Sequence, residues 1–172
     1  MMTQTNTNVN TSTITNSVFE VVSKFFQDNN WSFSQHETEP ILKMNYQGEN
    51  GEWICTAKTR EEHHQFIFYS SLPVNVPENK RLAVAEFLTR ANFGLIVGNF
   101  EIDLNDGEVR YKTSSIEAKD SSISTDLIGQ LIFANVMIMD RYLPGIMSVI
   151  YANVSPEAAL IKVEGLVISE DV

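Results

Sequence analysis

The chain has 172 residues, 43% of them hydrophobic, with 22 Asp and Glu against 12 Lys and Arg and a net charge of −10. That length suits one domain without staples, because a chain of about 150 ordered residues buries about 70% of its unfolded surface. The acidic balance argues against nucleic acid and against docking on anionic lipid, since both call for a basic face.

Residues 1–16 are rich in Thr and Asn and lack the basic start and apolar run of a signal peptide. They read as a disordered polar tail. Ser17 and Glu20 then form a capping box, and Val18, Val21, Val22, Phe25 and Phe26 recur at helical spacing behind it. Asn29 and Asn30 suit the left-handed turn that ends this first helix.

Leu42, Met44 and Tyr46 alternate with polar residues, as do Trp53, Cys55 and Ala57 after the turn Gly48-Glu49-Asn50-Gly51. Two half-buried strands follow from that period of two, joined by either a two-residue or a four-residue loop. The lone cysteine, Cys55, excludes an internal disulfide, and its place in the alternation reads as a small buried hydrophobe. A polar turn at Glu61-Glu62 precedes a third strand, Gln65 to Leu72, whose apolar residues on both faces suit an interior position.

Pro77 opens a second helix whose buried stripe is Val84, Phe87, Leu88 and Ala91, with Glu86 and Arg90 paired on the outer face. A hairpin follows. A two-residue Asp106-Gly107 turn sets Leu104 opposite Val109 and Ile102 opposite Tyr111, with Asp103 opposite Arg110 and Glu101 opposite Lys112 on the other face. Thr125 or Ser124 caps a third helix with a main stripe of Leu127, Leu131, Ala134, Ile138 and Tyr142, flanked by Ile128, Ile132 and Met139. Pro144-Gly145 kinks or breaks it. Ser155-Pro156-Glu157 starts a last helix that ends near Glu164-Gly165, and residues 166–172 form an acidic tail. The order α-βββ-α-ββ-αα predicts an α+β fold: an antiparallel sheet of about five strands, twisted, with helices packed on it, in one domain over 17–165.

No catalytic constellation stands out. His63 and His64 are adjacent, which on a strand would send them to opposite faces, and His36 is remote; the pair reads as solvated turn residues and no metal site is expected. Asp103, Asn105, Asp106 and Gly107 lack the spacing and flanking helices of a calcium loop. No phosphate-binding loop is present, so no cofactor is expected. The longest apolar stretch, Leu127 to Met139, is too short to cross a membrane, which takes about 20 residues. On the third helix, Phe133, Val136 and Met137 project opposite the main stripe at 100° per residue. Either helices of the same chain cover that side, or it meets another subunit or a protein partner.

The run FYSSLPVNVPENKRLAVAEFLTRANFGLIVGNFEIDLNDGEVRYKTS, residues 68–114, resembles the YbjN family of bacterial proteins, labelled sensory transduction regulators. The likeness extends from the first helix through Gly51-Glu52-Trp53 to Tyr142, Pro144 and the Ser155-Pro156-Glu157-Ala158-Ala159 helix. The resemblance implies a fold like that of type III secretion chaperones, small, acidic and often dimeric, and brings no catalytic motif. The expected function is therefore that of a cytoplasmic, non-enzymatic regulator or chaperone-like protein. It would act by binding a protein, with Phe133, Val136 and Met137 at a homodimer or partner interface. The competing expectation is an enzyme or small-molecule binder with a pocket between sheet and helices.

Overall fold

Ser17 starts the first helix as its sequence prescribes, in a computed structural model that describes residues 17–118 and 123–165. The expected tails, 1–16 and 166–172, lie outside the described residues. Ser17 Oγ accepts from the Glu20 amide at 3.1 Å and Glu20 Oε2 accepts from the Ser17 amide at 3.0 Å, closing the capping box of α1, Val18–Asp28. Glu61, from the turn after the second long strand, accepts from the amides of Val18 and Phe19 at 3.0 and 2.8 Å. The free amides of this helix start are thus shared between a local cap and a remote one, which ties α1 to the sheet. Asn30, at φ 55°, turns the chain away.

The sheet comprises β1 (Ser34–Gln35), β2 (Ile41–Gln47), β3 (Glu52–Arg60), β4 (Gln65–Ser71), β5 (Asn99–Ile102) and β6 (Val109–Ile116). Its order is β1-β2-β3-β4-β6-β5 and every pairing is antiparallel. The two-residue β1 is a sixth strand beyond the five that alternation reveals, too short to carry a period. Tyr46 faces Trp53 and Gln47 faces Glu52, so the β2–β3 loop has four residues, Gly48 to Gly51. The loop tip docks on a helix: Glu49 and Asn50 donate their amides to the Asp140 carboxylate at 3.2 and 2.9 Å.

The β5–β6 register differs from the expected one by two residues. Ile102 faces Val109, Phe100 faces Tyr111, Glu101 faces Arg110 and Asn99 faces Lys112. The faces are preserved, because a shift of two leaves every side chain on its own side. The expected pairs Leu104–Val109 and Asp103–Arg110 are absent; Leu104 is exposed and Glu101 takes both Arg110 (2.8 Å) and Lys112. Loop chemistry explains the shift. Asp103 Oδ1 accepts from the Asn105 amide at 2.8 Å, an Asx turn that starts the reversal early, and Gly107 alone takes positive φ, at 84°. The Arg81 guanidinium donates to the carbonyls of Leu104 and Asn105 at 3.0 and 3.1 Å, and Val76 donates its amide to the Gly107 carbonyl at 2.8 Å. Tertiary bonds therefore select the longer loop.

The helices α2 (Arg81–Gly94), α3 (Thr125–Tyr151) and α4 (Pro156–Glu164) join α1 on one face of the sheet. A short 3-10 turn, Glu78–Lys80, separates Pro77 from α2, and the α2 stripe is buried as expected. Ser124 is the cap of α3, its Oγ accepting from the Leu127 amide at 3.1 Å. The buried side of α3 is rotated from the expected stripe: Ile128, Leu131, Ile132, Asn135, Val136, Met139 and Tyr142 are buried, whereas Leu127, Ala134 and Ile138 are only partly so. The buried polar Asn135 marks its centre, and an apolar stripe drawn from hydrophobic residues alone passes it by. Pro144 lies inside α3 without ending it. Its missing amide frees the Asp140 carbonyl four residues back, and Asn50 Nδ2 donates to that carbonyl at 3.2 Å.

Two substitutions test these docking contacts. Asp140→Ala strips the acceptor from the β2–β3 loop tip and should lower unfolding free energy by about 1–3 kcal/mol in urea titration. Amide exchange at Glu49 and Asn50 should speed up with it. Gly107→Ala should cost more than ~1 kcal/mol, because its Cβ would sit at positive φ and run into the Val76 carbonyl.

Candidate protein-docking surface

Between α2 and β5 the sequence places Leu95, Ile96 and Val97 in a loop flanked by Gly94 and Gly98. The loop is held from beneath. Asn92 Oδ1 accepts from the Phe100 amide at 2.7 Å and its Nδ2 donates to the Phe100 carbonyl at 3.1 Å, so the end of α2 occupies the outer edge of β5. Gly98 takes φ 81°, and the Tyr111 hydroxyl donates to the Val97 carbonyl. With its backbone anchored this way, the loop turns Ile96 outward, where it is 97% exposed, as is Phe93 at the end of α2.

A groove of about 600 Å³ runs between this loop and α3, lined by Leu95, Ile96, Val97, Ala134, Met137, Ile138 and the buried Tyr142, with Arg141 and Glu164 at its edge. A second hollow, of about 490 Å³, continues past Phe93 to Arg90 and Leu160. The Tyr142 hydroxyl donates to Glu164 Oε1 at 2.8 Å, and the Arg141 guanidinium lies 5.7 Å from the Tyr142 ring. Burial first, and the neighbouring Glu164 carboxylate second, push the Tyr142 phenol up to about 12, so this tyrosine stays neutral. The surface therefore has an apolar centre and a rim carrying both signs of charge. That arrangement suits protein contact.

The three residues expected at an interface separate. Met137 lines the groove and is 69% exposed. Phe133, 45% exposed, leans the other way, with ring centroids 6.2 Å from Phe25 and 5.6 Å from Trp31 in edge-on contact. Val136 is fully buried, a correction to the expected back face: it neighbours Asn135, on which the inward side of α3 is centred. Phe93, Ile96 and Val97 were not expected. Their signal was a run of large apolar residues in a loop between two glycines, where polar residues are the norm.

His63 lies in the 3-10 turn Glu61–His63 and His64 follows at φ 49°, so the pair occupies a turn, as its reading as turn residues expects. Among the described residues, no three His, Cys, Asp or Glu side chains converge as metal ligands, and no helix is long and apolar enough to cross a membrane. Cys55 is buried 3.4 Å from Ser70 Oγ, and burial pushes its thiol up to about 11.

The model of the YbjN family, described as "Putative bacterial sensory transduction regulator", matches residues 19–147. The chain belongs to the YbjN family. In structure it is similar to E. coli YbjN, with a TM-score of 0.56 at 11% identity over 78% of this chain and 90% of that one. It is likewise similar to a chain of the ExsC–ExsE complex, with a TM-score of 0.53 at 12% identity over 76% and 94% of the two chains. No curated protein matches it in sequence. At such identities the structural likeness speaks for the fold, and this YbjN-family chain has the α+β architecture its sequence led one to expect.

The buried thiol gives a two-part test. Native Cys55 should resist a disulfide reagent at pH 8 and react fully in denaturant. An unfolded thiol ionises near its ordinary value of 9.0 while the native one holds its proton to about 11. Between those values the unfolded state binds fewer protons, so stability should fall as pH rises through that window. Cys55→Ala should flatten this part of the stability curve. The fall from Tyr111 and Tyr142, both raised from 10.0 to about 12, should remain.

Proposed function

We propose that this YbjN-family protein is a non-enzymatic regulatory or chaperone-like protein of the bacterial cytoplasm. It works by binding other proteins, through a single domain spanning 17–165. The observation that carries this reading is the nearly full exposure of Phe93 and Ile96 beside an apolar groove. Burying side chains of this size favours association by about 1.5–3 kcal/mol each. Proteins that keep such groups in water in one contiguous patch generally use them for contact. The ExsC–ExsE complex, in which a chain of similar fold is present with another protein, supports the same reading.

The groove is proposed as the contact of a homodimer. A two-fold interface must be self-complementary, and this rim offers Arg141 and Glu164 side by side around an apolar centre. Two copies can therefore pair base with acid there despite a net charge of −10 on each. The competing reading, an enzyme or small-molecule binder with a pocket between sheet and helices, has less support, since Trp53, Phe66, Phe68, Tyr111, Ile132 and Met139 are buried in the core. Met137 carries over from the interface expected on the third helix, while Phe133 contributes at most an outer edge.

Light scattering on the eluting protein tests the proposal. Wild type should have twice the chain mass, and Ile96→Asp and Met137→Asp should each have the mass of one chain. Both side chains are exposed in the single chain, so each variant should stay folded, its stability within about 0.5 kcal/mol of that of an isolated wild-type chain. A monomeric wild type, or variants that stay dimeric, would remove the homodimer.

A further inference from the structure

The helices cover one face of the sheet and, among the described residues, none covers the other, and the strand register states what that other face carries. Lys43 faces Thr56, which faces Tyr69, which faces Lys112; Ile41 faces Lys58, which faces Ile67; Ser71 faces both Ile54 and Arg110. With Arg60, one position of the same parity beyond Lys58, the face holds five of the chain's twelve Lys and Arg. Of its twenty-two Asp and Glu, the strands of this face hold Glu52 and Glu101. An acidic protein has gathered bases on its open sheet.

The bases fall into two groups. Arg110 and Lys112 share Glu101, and Arg110 lies 4.4 Å over the Tyr69 ring, so these two are engaged within the fold. Lys43, Lys58 and Arg60 make no ion pair among the described residues. Ile54, 52% exposed, shares β3 with Lys58 and Arg60, and the half-buried Ile67 faces Lys58 from β4. A groove of about 480 Å³ opens there, between the Ser32–Ser34 segment and the strands, and Lys43 and Ile54 both line it.

We propose that this face binds an acidic segment of a partner protein, its carboxylates meeting Lys43, Lys58 and Arg60 and its aliphatic side chains meeting Ile54 and Ile67. Charge complementarity selects the occupant. Such a segment is repelled by the acidic remainder of the molecule and attracted at this patch, so charge fixes where a short one can sit. Nucleic acid fits less well: three unpaired cations neutralise few phosphates, and the net charge opposes a polyanion longer than the patch. The site lies on the opposite side of the sheet from the helices and is independent of the groove beside α3.

Fluorescence anisotropy with a fluorescein-labelled peptide of repeated Asp-Leu-Glu-Ser tests it, with a peptide bearing Lys at each acidic position as control. The full-length protein should bind the acidic peptide saturably, more weakly at higher salt, and should leave the basic peptide unbound. Lys43→Glu/Lys58→Glu should weaken binding at least about tenfold, and Lys43→Ala/Arg60→Ala should weaken it less; circular dichroism checks that both fold. Ile96→Asp should bind like wild type, which separates this site from the proposed dimer contact. No saturable binding by wild type, or equal binding by the folded charge variants, would overturn the proposal. So would an oligothymidine that binds more tightly than the peptide and is lost with the same variants.

Discussion

Asn135 donates from Nδ2 to the carbonyls of Phe68 and Tyr111, each at 3.1 Å, and to Thr113 Oγ1 at 3.2 Å, in the middle of the buried side of α3. Thr113 Oγ1 in turn donates to the Leu131 carbonyl at 3.0 Å, so helix and strand exchange bonds in both directions. A helix of 27 residues is about 40 Å long and could slide or rotate on an apolar sheet with little loss of burial. These bonds remove that freedom, since one turn of slip would set an alkyl side chain against the same polar groups, at a cost of about 1–3 kcal/mol for each one left unpaired. Asn135 Oδ1 remains buried without a partner, a penalty the arrangement carries.

With α3 placed by β4 and β6, much of the remaining structure takes its position from the helix. Asp140 receives the β2–β3 loop and, through its carbonyl, makes Pro144 tolerable within the helix. Gly145 has no room for a Cβ, which would lie 2.7 Å from the Phe87 ring and 2.6 Å from Val163, and so lets α2 and α4 pack closely. The four helices among the described residues all end on one side. The result is an asymmetric sheet whose covered face supplies stability and whose other face is free to carry charge.

The exposed apolar loop stands apart from this economy. Phe93 and Ile96 contribute almost nothing to the monomer's burial, yet the backbone that presents them is fastened by Asn92, Gly98 and Tyr111. Anchoring the backbone while leaving side chains in water lowers the entropy to be lost on association, which is how a preorganised contact gains affinity. The Asn92 bonds also cover part of the β5 edge, an edge that would otherwise invite unspecific strand pairing.

Sequence alone determined the elements whose cause is local. The Ser17–Glu20 box, the α2 stripe and the faces of the strands depend on spacing and neighbouring side chains, and each appears where spacing puts it. Tertiary structure decided what local patterns leave degenerate. A hairpin shifted by two keeps its faces, so alternation leaves the β5–β6 register open; the Asp103 turn inside the loop, with Arg81 and Val76 arriving from elsewhere in the chain, selects it. An all-round apolar helix has no preferred azimuth until a polar group such as Asn135 finds partners on the sheet, which is why Val136 faces inward while Met137 stays out. The gathering of Lys43, Lys58 and Arg60 on one face of an acidic chain follows the same rule, since alternation gives each strand its two faces and only pairing across strands decides which of them meet.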